Sequence, residues 1–402
     1  MATGLTIPSD TIFSPSERGM WIKDKIKKIQ PTYSESDIND KYNKGERRII
    51  TEINREKLLN LVSSIDKPGQ LNIQPLYQRR KRWDDEKKSR LIESFLMNIP
   101  VIPIILYEVK YNSYEVIDGQ QRLTTLHDFY HNKFKLIGLE FWPELNNLTY
   151  SELPSQIKAG IDRRSISTIT LITESAADPE EAALLKQIAF ERINTGGVTL
   201  SKQEVRNCLL SSDFNDLLLD LSRNSIFAKA WGIPIDDNDP NLMKNNLYKK
   251  MEDVELVLRF FALRHANDFK NGTIDFLDEY MRKSTMFNIE DINFLRSLFI
   301  RTIEMASQIY DENLFKPFNV NKKLWSNQSY KEYYDAVMVG CSYQLANAKK
   351  IIERKSQVIA ETKKLLSDPA NYKIFTGGGG TKAGVQKRIE LFSQMLERVA
   401  KS

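Results

Sequence analysis

The chain has 402 residues, of which 41% are hydrophobic and 28% charged, and its formal net charge is +5. These proportions are typical of a folded globular protein. They argue against a disordered or membrane-spanning chain, because no stretch approaches eighteen consecutive apolar residues. The length exceeds the size at which a single hydrophobic core stops growing, so two domains are expected.

The cysteines and the first residues predict a cytoplasmic protein. Cys208 and Cys341 are far apart and have no neighbouring histidine, as expected for reduced thiols. Residues 1–10 lack the charged-then-apolar order of a secretion signal. We therefore expect a cytoplasmic chain without a membrane partner.

Residues 1–45 are predicted to form an N-terminal arm. Ser, Asp, Asn and Lys are scattered there among few apolar repeats, and Trp21 and Ile22 are the candidate anchors. Regular apolar patterns begin after this segment.

Residues 46–215 mix β-rich and helical patterns, whereas residues 216–402 are helical in period almost throughout. The predicted elements of the first part are a short strand at 69–73, a helix opened by Asp84, strands at 102–108 and 114–117, a helix at 120–130, a strand at 166–173, a helix from Pro179, and a helix capped by Ser201 and Glu204. The sequence thus predicts an α+β domain followed by an all-helical domain.

One strand–turn–helix junction carries the strongest functional signal, the run Asp118-Gly119-Gln120-Gln121-Arg122. A helix that begins there leaves backbone N–H groups unpaired, and Arg122 adds a positive charge. The junction is therefore suited to an anion. From these residues alone, an ordinary Asp-Gly turn with a solvated first helical turn is the alternative.

Three motifs follow one another along the chain: Gln74-Pro75-Leu76-Tyr77-Gln78-Arg79 with Trp83, the run Asp118-Gly119-Gln120-Gln121-Arg122-Leu123-Thr124-Thr125-Leu126, and Phe190-Glu191-Arg192-Ile193-Asn194-Thr195-Gly196-Gly197 followed by Leu200, Ser201 and Glu204. In this order they resemble the N-terminal domain of GmrSD-type, modification-dependent restriction proteins. The resemblance implies a ParB/sulfiredoxin-like fold over residues 46–215, a small mixed sheet with helices that binds nucleotide phosphates.

The resemblance also implies roles for the central motif. Gly119 and Arg122 would hold phosphate oxygens, and Asp118 would hold Mg²⁺ or order the loop. Gln120 or Gln121 would orient an attacking water, as a glutamine does in other nucleotide hydrolases. The implied ligand is Mg²⁺ with a nucleoside triphosphate (NTP) of unspecified base.

Five residues outside the central motif join the site only through the resemblance. Arg79 would be a second phosphate clamp, although it begins a basic run whose ordinary interpretation is a solvated or nucleic-acid-binding surface. Arg192, Asn194, Thr195 and Gly196 would form a ligand loop. By spacing alone the same residues indicate a helix C-cap.

The histidines do not indicate a nuclease. None of His127, His131 and His265 is followed by the Asn and second His of an HNH nuclease, a domain that many relatives carry. His127 and His131 stand four residues apart on one predicted helix face and could pair on a metal ion. No Cys is near and Asp128 should point off that face, so surface pairing is the expectation.

The positive charge is concentrated at the C-terminus. From Lys349 onward, nine Lys and three Arg accompany four Glu and one Asp, a net charge of +7. Such an excess predicts contact with DNA phosphates, with Lys382, Lys387 and Arg388 as candidates after the glycine run 377–380. A solvated helix face is the alternative.

Together these features predict an NTP-binding and NTP-hydrolysing component of a modification-dependent DNA restriction or anti-phage defence system. A separate nuclease subunit or a second copy of the chain is the expected protein partner. The alternatives are a non-hydrolysing, nucleotide-gated DNA-binding module and a phosphotransferase acting on a protein side chain.

Overall fold

A computed structural model of the chain describes residues 12–21, 34–36, 39–40, 50–73, 83–172, 188–189, 192, 201–210, 212–269, 272–377 and 381–402. Of residues 208 and 209 it describes the backbone alone. No helix within these ranges combines the length and the apolar character that crossing a bilayer requires.

The chain divides into two compact units. One is Ile29–Leu200, which we call the sheet unit, and the other combines Met1–Lys28 with Ser201–Ser402, which we call the helical unit. The predicted α+β class is confirmed, since a mixed sheet with helices is followed by a helical region.

The sheet unit is built on five strands in the spatial order β1-β5-β3-β4-β2. These strands are β1 (Ile50–Lys57), β2 (Leu71–Asn72), β3 (Ile104–Lys110), β4 (Ser113–Asp118) and β5 (Ser165–Ile172). The pairs β1–β5 and β3–β4 are antiparallel, whereas β3–β5 and β2–β4 are parallel. The sheet is therefore mixed, as predicted.

Four described helices accompany this sheet: α1 (Leu58–Asp66), α2 (Asp85–Leu96), α3 (Gln120–Tyr130) and α4 (Ser155–Asp162). Leu123, Leu126 and Phe129 of α3 are fully buried in one hydrophobic cluster with residues of α1, α2 and β3. Apolar residues at helical spacing explain why α3 has the bounds that the sequence predicts. The helix predicted from Pro179 lies mostly outside the described residues.

The helical unit contains twelve α-helices in its described part. They are α5 (Lys202–Leu209), α6 (Asp213–Leu221), α7 (Ser225–Ala230), α8 (Asn246–Lys249), α9 (Glu252–Leu263), α10 (Thr273–Lys283), α11 (Ile289–Tyr310), α12 (Lys331–Tyr343), α13 (Ala348–Glu353), α14 (Lys355–Ser367), α15 (Pro369–Thr376) and α16 (Lys382–Lys401). A two-stranded ribbon, β6 (Phe318–Asn319) with β7 (Leu324–Trp325), departs from the predicted all-helical composition.

The boundary after Leu200 differs from the one predicted after residue 215. Helix α5 begins at the predicted capping box of Ser201 and Glu204. Its buried Arg206 contacts Asp278 at 2.6 Å and Glu255 at 2.8 Å, both in the helical unit. Helix α5 therefore belongs with the helices that follow it.

Part of the predicted N-terminal arm is packed into the helical unit. Ile12, Phe13 and Trp21 are buried in its core, whereas the second candidate anchor, Ile22, lies outside the described residues. Between them, the buried Glu17 carboxylate accepts hydrogen bonds from Tyr280 Oη at 2.6 Å and from the Arg264 guanidinium. Residues 12–21 are thus a structural part of this unit.

Glu17 is ionised in this setting. Burial alone would raise its pKa, but the charge of Arg264 and the hydrogen bonds from His265 and Tyr280 outweigh burial and lower the pKa to about 2. His265 Nε2 lies 3.1 Å from the same carboxylate, and burial lowers the pKa of His265. The Glu17 carboxylate is therefore balanced by one cation, Arg264, and the His265 imidazole beside it is neutral.

Candidate functional site

The ends of three strands bring the central motif and Ile73, the residue that precedes the first motif, to one edge of the sheet. Strands β2 and β4 are parallel, with Leu71 opposite Tyr114, so both end at this edge. Strand β3 is antiparallel to β4 and begins there, with Ile105 opposite Asp118. Asp118 and the residue that precedes the first motif, Ile73, therefore leave the sheet side by side.

Gly119 makes the turn between β4 and α3 in a left-handed conformation, with φ +97° and ψ +10°. A Cβ atom on this residue would lie 2.4 Å from Ile104 Cδ1 and 3.0 Å from an Arg122 guanidinium nitrogen. Both the backbone conformation and the space therefore require glycine. Its absent side chain lets the guanidinium of Arg122 lie against the turn.

Arg122 folds back from the first turn of α3 over this glycine. Its Nη2 donates to Asp118 Oδ2 at 2.8 Å and to the Pro103 carbonyl oxygen at 3.3 Å. The Arg122 side chain is 12% exposed and that of Asp118 is 27% exposed. The ion pair with Asp118 and the start of β3 therefore enclose most of the Arg122 side chain.

Several hydrogen-bond donors around this turn have no partner among the residues that the structure describes. The first helical bond of α3 runs from the Leu123 amide to the Gly119 carbonyl oxygen, and no side chain caps the helix. The backbone amides of Gln120, Gln121 and Arg122 come before this first bond, so they have no acceptor within the helix. Arg122 Nε is buried and has no hydrogen-bond partner within the described part of the chain. These donors and the helix dipole favour a negatively charged ligand.

The two glutamines of the motif have different environments. Gln120 Nε2 donates to the carbonyl oxygen of Ile73 at 3.0 Å, so it fastens the start of α3 to the segment that leads into the first motif. The Gln121 side chain is partly exposed and makes no hydrogen bond with the described residues. Gln121 is therefore the glutamine available to a ligand or a water molecule.

One protein-family model matches a segment of the chain that includes this turn. Residues 58–211 match the model of the N-terminal domain of the GmrSD restriction endonuclease. This segment is a domain of the GmrSD N-terminal family. The match covers less than half of the chain, and no curated protein and no solved structure matches it significantly.

Within the GmrSD N-terminal domain, the structure describes only part of the predicted site. It brings Asp118, Gly119, Gln120, Gln121 and Arg122 together at one turn. The described residues do not include four other predicted site residues, Arg79, Asn194, Thr195 and Gly196. Arg192 is described as an exposed helical residue. Its proposed role remains a prediction.

The three candidate DNA-binding residues are divided by the fold. Lys382 and Lys387 are exposed on α16. Arg388 is 1% exposed, and its Nη2 contacts the buried Asp335 Oδ2 at 2.7 Å. The assignment of Arg388 to a DNA contact is therefore corrected: its guanidinium is a core group shared with Asp335, on which Arg259 also converges.

Sequence reasoning missed two groups near α3. The Pro103 carbonyl oxygen receives Arg122, and no sequence pattern marks this backbone contact. Asp66 joins His127 and His131 from a different helix. The four-residue spacing of the histidines can be read from the sequence. Asp66, the third residue of the cluster, cannot be found in this way, because its position depends on how α1 packs beside α3.

Proposed function

We propose that the Asp118–Arg122 turn binds the phosphates of a Mg²⁺-bound NTP, and that the protein hydrolyses this nucleotide as a component of a DNA restriction or anti-phage system. The observation that carries the proposal is the Arg122 guanidinium, which lies over Gly119 at an uncapped helix start. A fixed guanidinium beside unpaired backbone amides is suited to a phosphate group.

The chemistry assigns separate tasks to the motif residues. Arg122 and the first-turn amides would neutralise the charge on the phosphate oxygens, which is the main protein contribution to phosphoryl transfer. Asp118 holds Arg122 in place through Oδ2. The other carboxylate oxygen of Asp118 is suited to binding Mg²⁺, because Mg²⁺ is usually bound by one or two carboxylates together with substrate phosphates. Bound Mg²⁺ would neutralise negative charge on the nucleotide phosphates.

Gln121 is the candidate for positioning the attacking water. In hydrolysis the water oxygen bonds to the γ-phosphorus. The bond between this phosphorus and the β–γ bridging oxygen breaks, which releases a nucleoside diphosphate and inorganic phosphate. The partly exposed amide of Gln121 can orient that water, whereas the Gln120 amide is occupied by Ile73. We therefore assign Gln120 as a positioning residue.

The biological setting follows from the family. The matched domain belongs to restriction endonucleases, and the histidines of these 402 residues lack the spacing of an HNH nuclease. We propose that the nuclease activity is supplied from outside these residues. Nucleotide binding and turnover would regulate it on DNA.

The test is calorimetric titration with each of the four NTPs and Mg²⁺, followed by phosphate release on the same samples. Arg122→Ala should weaken binding roughly ten- to hundredfold, because a charge-assisted hydrogen bond contributes about 1.5–3 kcal/mol. Gln121→Ala should keep the affinity within a few fold and reduce turnover, since a water-positioning group acts on the transition state.

Arg90→Ala is the matched control, because Arg90 is an exposed arginine of the same unit that pairs only with surface carboxylates among the described residues. Equal NTP affinity for Arg122→Ala and Arg90→Ala would place the phosphate site elsewhere. Binding without phosphate release in the wild type would favour the non-hydrolysing, nucleotide-gated module.

A further inference from the structure

A second cluster of polar side chains lies at the other end of α3. His127 and His131 lie on one face of this helix, and their rings stack with centroids 4.2 Å apart. Asp66, the last residue of α1, faces both rings. Its Oδ1 is 3.1 Å from His127 Nε2, and its Oδ2 is 3.5 Å from His131 Nε2.

We infer that Asp66, His127 and His131 form a binding site for a divalent transition-metal ion of the Zn²⁺ type. One potential ligand atom from each residue lies within 4.8 Å of the other two. Tetrahedral bonds of about 2.0 Å put ligand atoms about 3.3 Å apart. The two separations, 3.1 Å to Oδ1 and 3.5 Å to Oδ2 of the Asp66 carboxylate, are each close to this value. Side-chain rotations that bring one carboxylate oxygen near both Nε2 atoms would admit the ion.

A backbone carbonyl behind His131 orients this ring for the role. His131 Nδ1 lies 2.8 Å from the carbonyl oxygen of His127. A carbonyl cannot donate, so Nδ1 carries a proton, and Nε2 is the nitrogen of His131 that can bind the ion. A backbone carbonyl behind an imidazole is a usual outer-shell partner of a metal-bound histidine.

The helix ends also favour a cation. Asp66 ends α1, and His131 is the C-cap of α3. Helix C-termini carry partial negative charge, so a carboxylate placed there is unfavourable unless a cation accompanies it. Lys133 Nζ is a nearby positive group, but it contacts Nδ1 of His127 at 3.5 Å, whereas Asp66 faces Nε2 of the same ring.

The chemistry of the donors selects the metal. Two imidazoles and one carboxylate, with a position left for water, match Zn²⁺ in open sites, whereas Mg²⁺ prefers oxygen ligands alone. His127 follows Arg122 by five residues, about 7.5 Å along the axis of α3, and the two sites share no residue. The site is thus distinct from the proposed Mg²⁺-nucleotide site and does not depend on it.

The test is calorimetric titration of Zn²⁺ into the untagged full chain after treatment with a chelator. One ion should bind per chain, and His131→Gln and Asp66→Asn should each weaken binding more than about tenfold. Glu144→Gln is the matched control, since Glu144 is an exposed carboxylate of the same unit. Equal Zn²⁺ affinity in the wild type and the ligand variants would overturn the assignment.

X-ray absorption of the Zn²⁺-loaded wild type gives a second readout that requires no variant. The site predicts two imidazole ligands in the first shell. A first shell with fewer than two imidazoles, or a chain that binds no Zn²⁺, would equally overturn it.

Discussion

At the scale of single residues, Gly119 controls the proposed phosphate site. Its positive φ and the 2.4 Å approach of Ile104 Cδ1 leave no room for a side chain. The same absence of Cβ lets Arg122 lie over the turn and bond to Asp118. One small residue thus sets both the backbone direction and the position of the charge.

Gly119→Ala is expected to destabilise the protein by roughly 1–3 kcal/mol, the cost of a strained backbone residue, and to weaken NTP binding by displacing Arg122. Urea unfolding and calorimetric titration measure the two effects. Gly160→Ala in α4 is the control, since no atom lies within 4 Å of its Cβ position, and it should be neutral or stabilise by about 0.5–1 kcal/mol. Indistinguishable NTP affinities for the two variants would separate Gly119 from the binding site.

At the scale of elements, local patterns predicted helices well and contacts between elements poorly. Helix α3 spans the predicted residues 120–130, because its apolar spacing and the Gly119 turn are both local signals. Asp84 caps α2 as predicted, by accepting the Lys87 amide at 2.9 Å. The metal cluster, in contrast, needed Asp66 from another helix, and no local pattern specifies that neighbour.

Arg388 shows how a charge count can mislead. It lies three residues after Val385 and beside Ile389, on the apolar face of α16, where both neighbours are fully buried. Helical periodicity places position 388 on that face. The charge total of the C-terminal region includes this arginine although its charge is directed toward Asp335.

The remaining basic surface of α16 supports a narrower prediction. Replacing Lys382 and Lys387 together by Gln should lower the slope of log affinity for duplex DNA against log salt by about 0.9 for each phosphate that is no longer neutralised. Fluorescence anisotropy at several salt concentrations measures the slope. The control replaces the exposed Lys322 and Lys323. If the α16 variant keeps the wild-type slope, these two lysines are solvated and the DNA-binding surface is elsewhere.

At the scale of the whole molecule, the N-terminal segment is fastened to the helical unit by a buried charge. Glu17 and Arg264 both have fully buried side chains. The pKa of Glu17 is lowered to about 2 from an ordinary value of 4.5. The unfolded chain therefore binds a proton below pH 4.5 that the folded chain does not, and stability falls as pH drops from about 4.5 toward 2.

Glu17→Gln should flatten this acid dependence, which in the wild type amounts to roughly 3 kcal/mol at most for a carboxylate shifted this far. At neutral pH the variant should lose about 3–5 kcal/mol, because Arg264 is left buried without its carboxylate. Urea unfolding at several pH values, from about 3 to about 7, measures both. The exposed Glu312→Gln is the control. A variant with the wild-type acid dependence would show that another group titrates in this range.

The central claim is that the turn at residues 118–122 receives nucleotide phosphates, and hydrogen–deuterium exchange tests it most directly. Calorimetry first shows which NTP binds and at what concentration it saturates the protein. The exchange rate of the peptide that spans Asp118 to Leu123 is then measured with and without that NTP and Mg²⁺. We predict slower exchange at the amides of Gln120, Gln121 and Arg122, because phosphate oxygens accept their hydrogen bonds. Saturating nucleotide that leaves exchange in this peptide unchanged would contradict the claim.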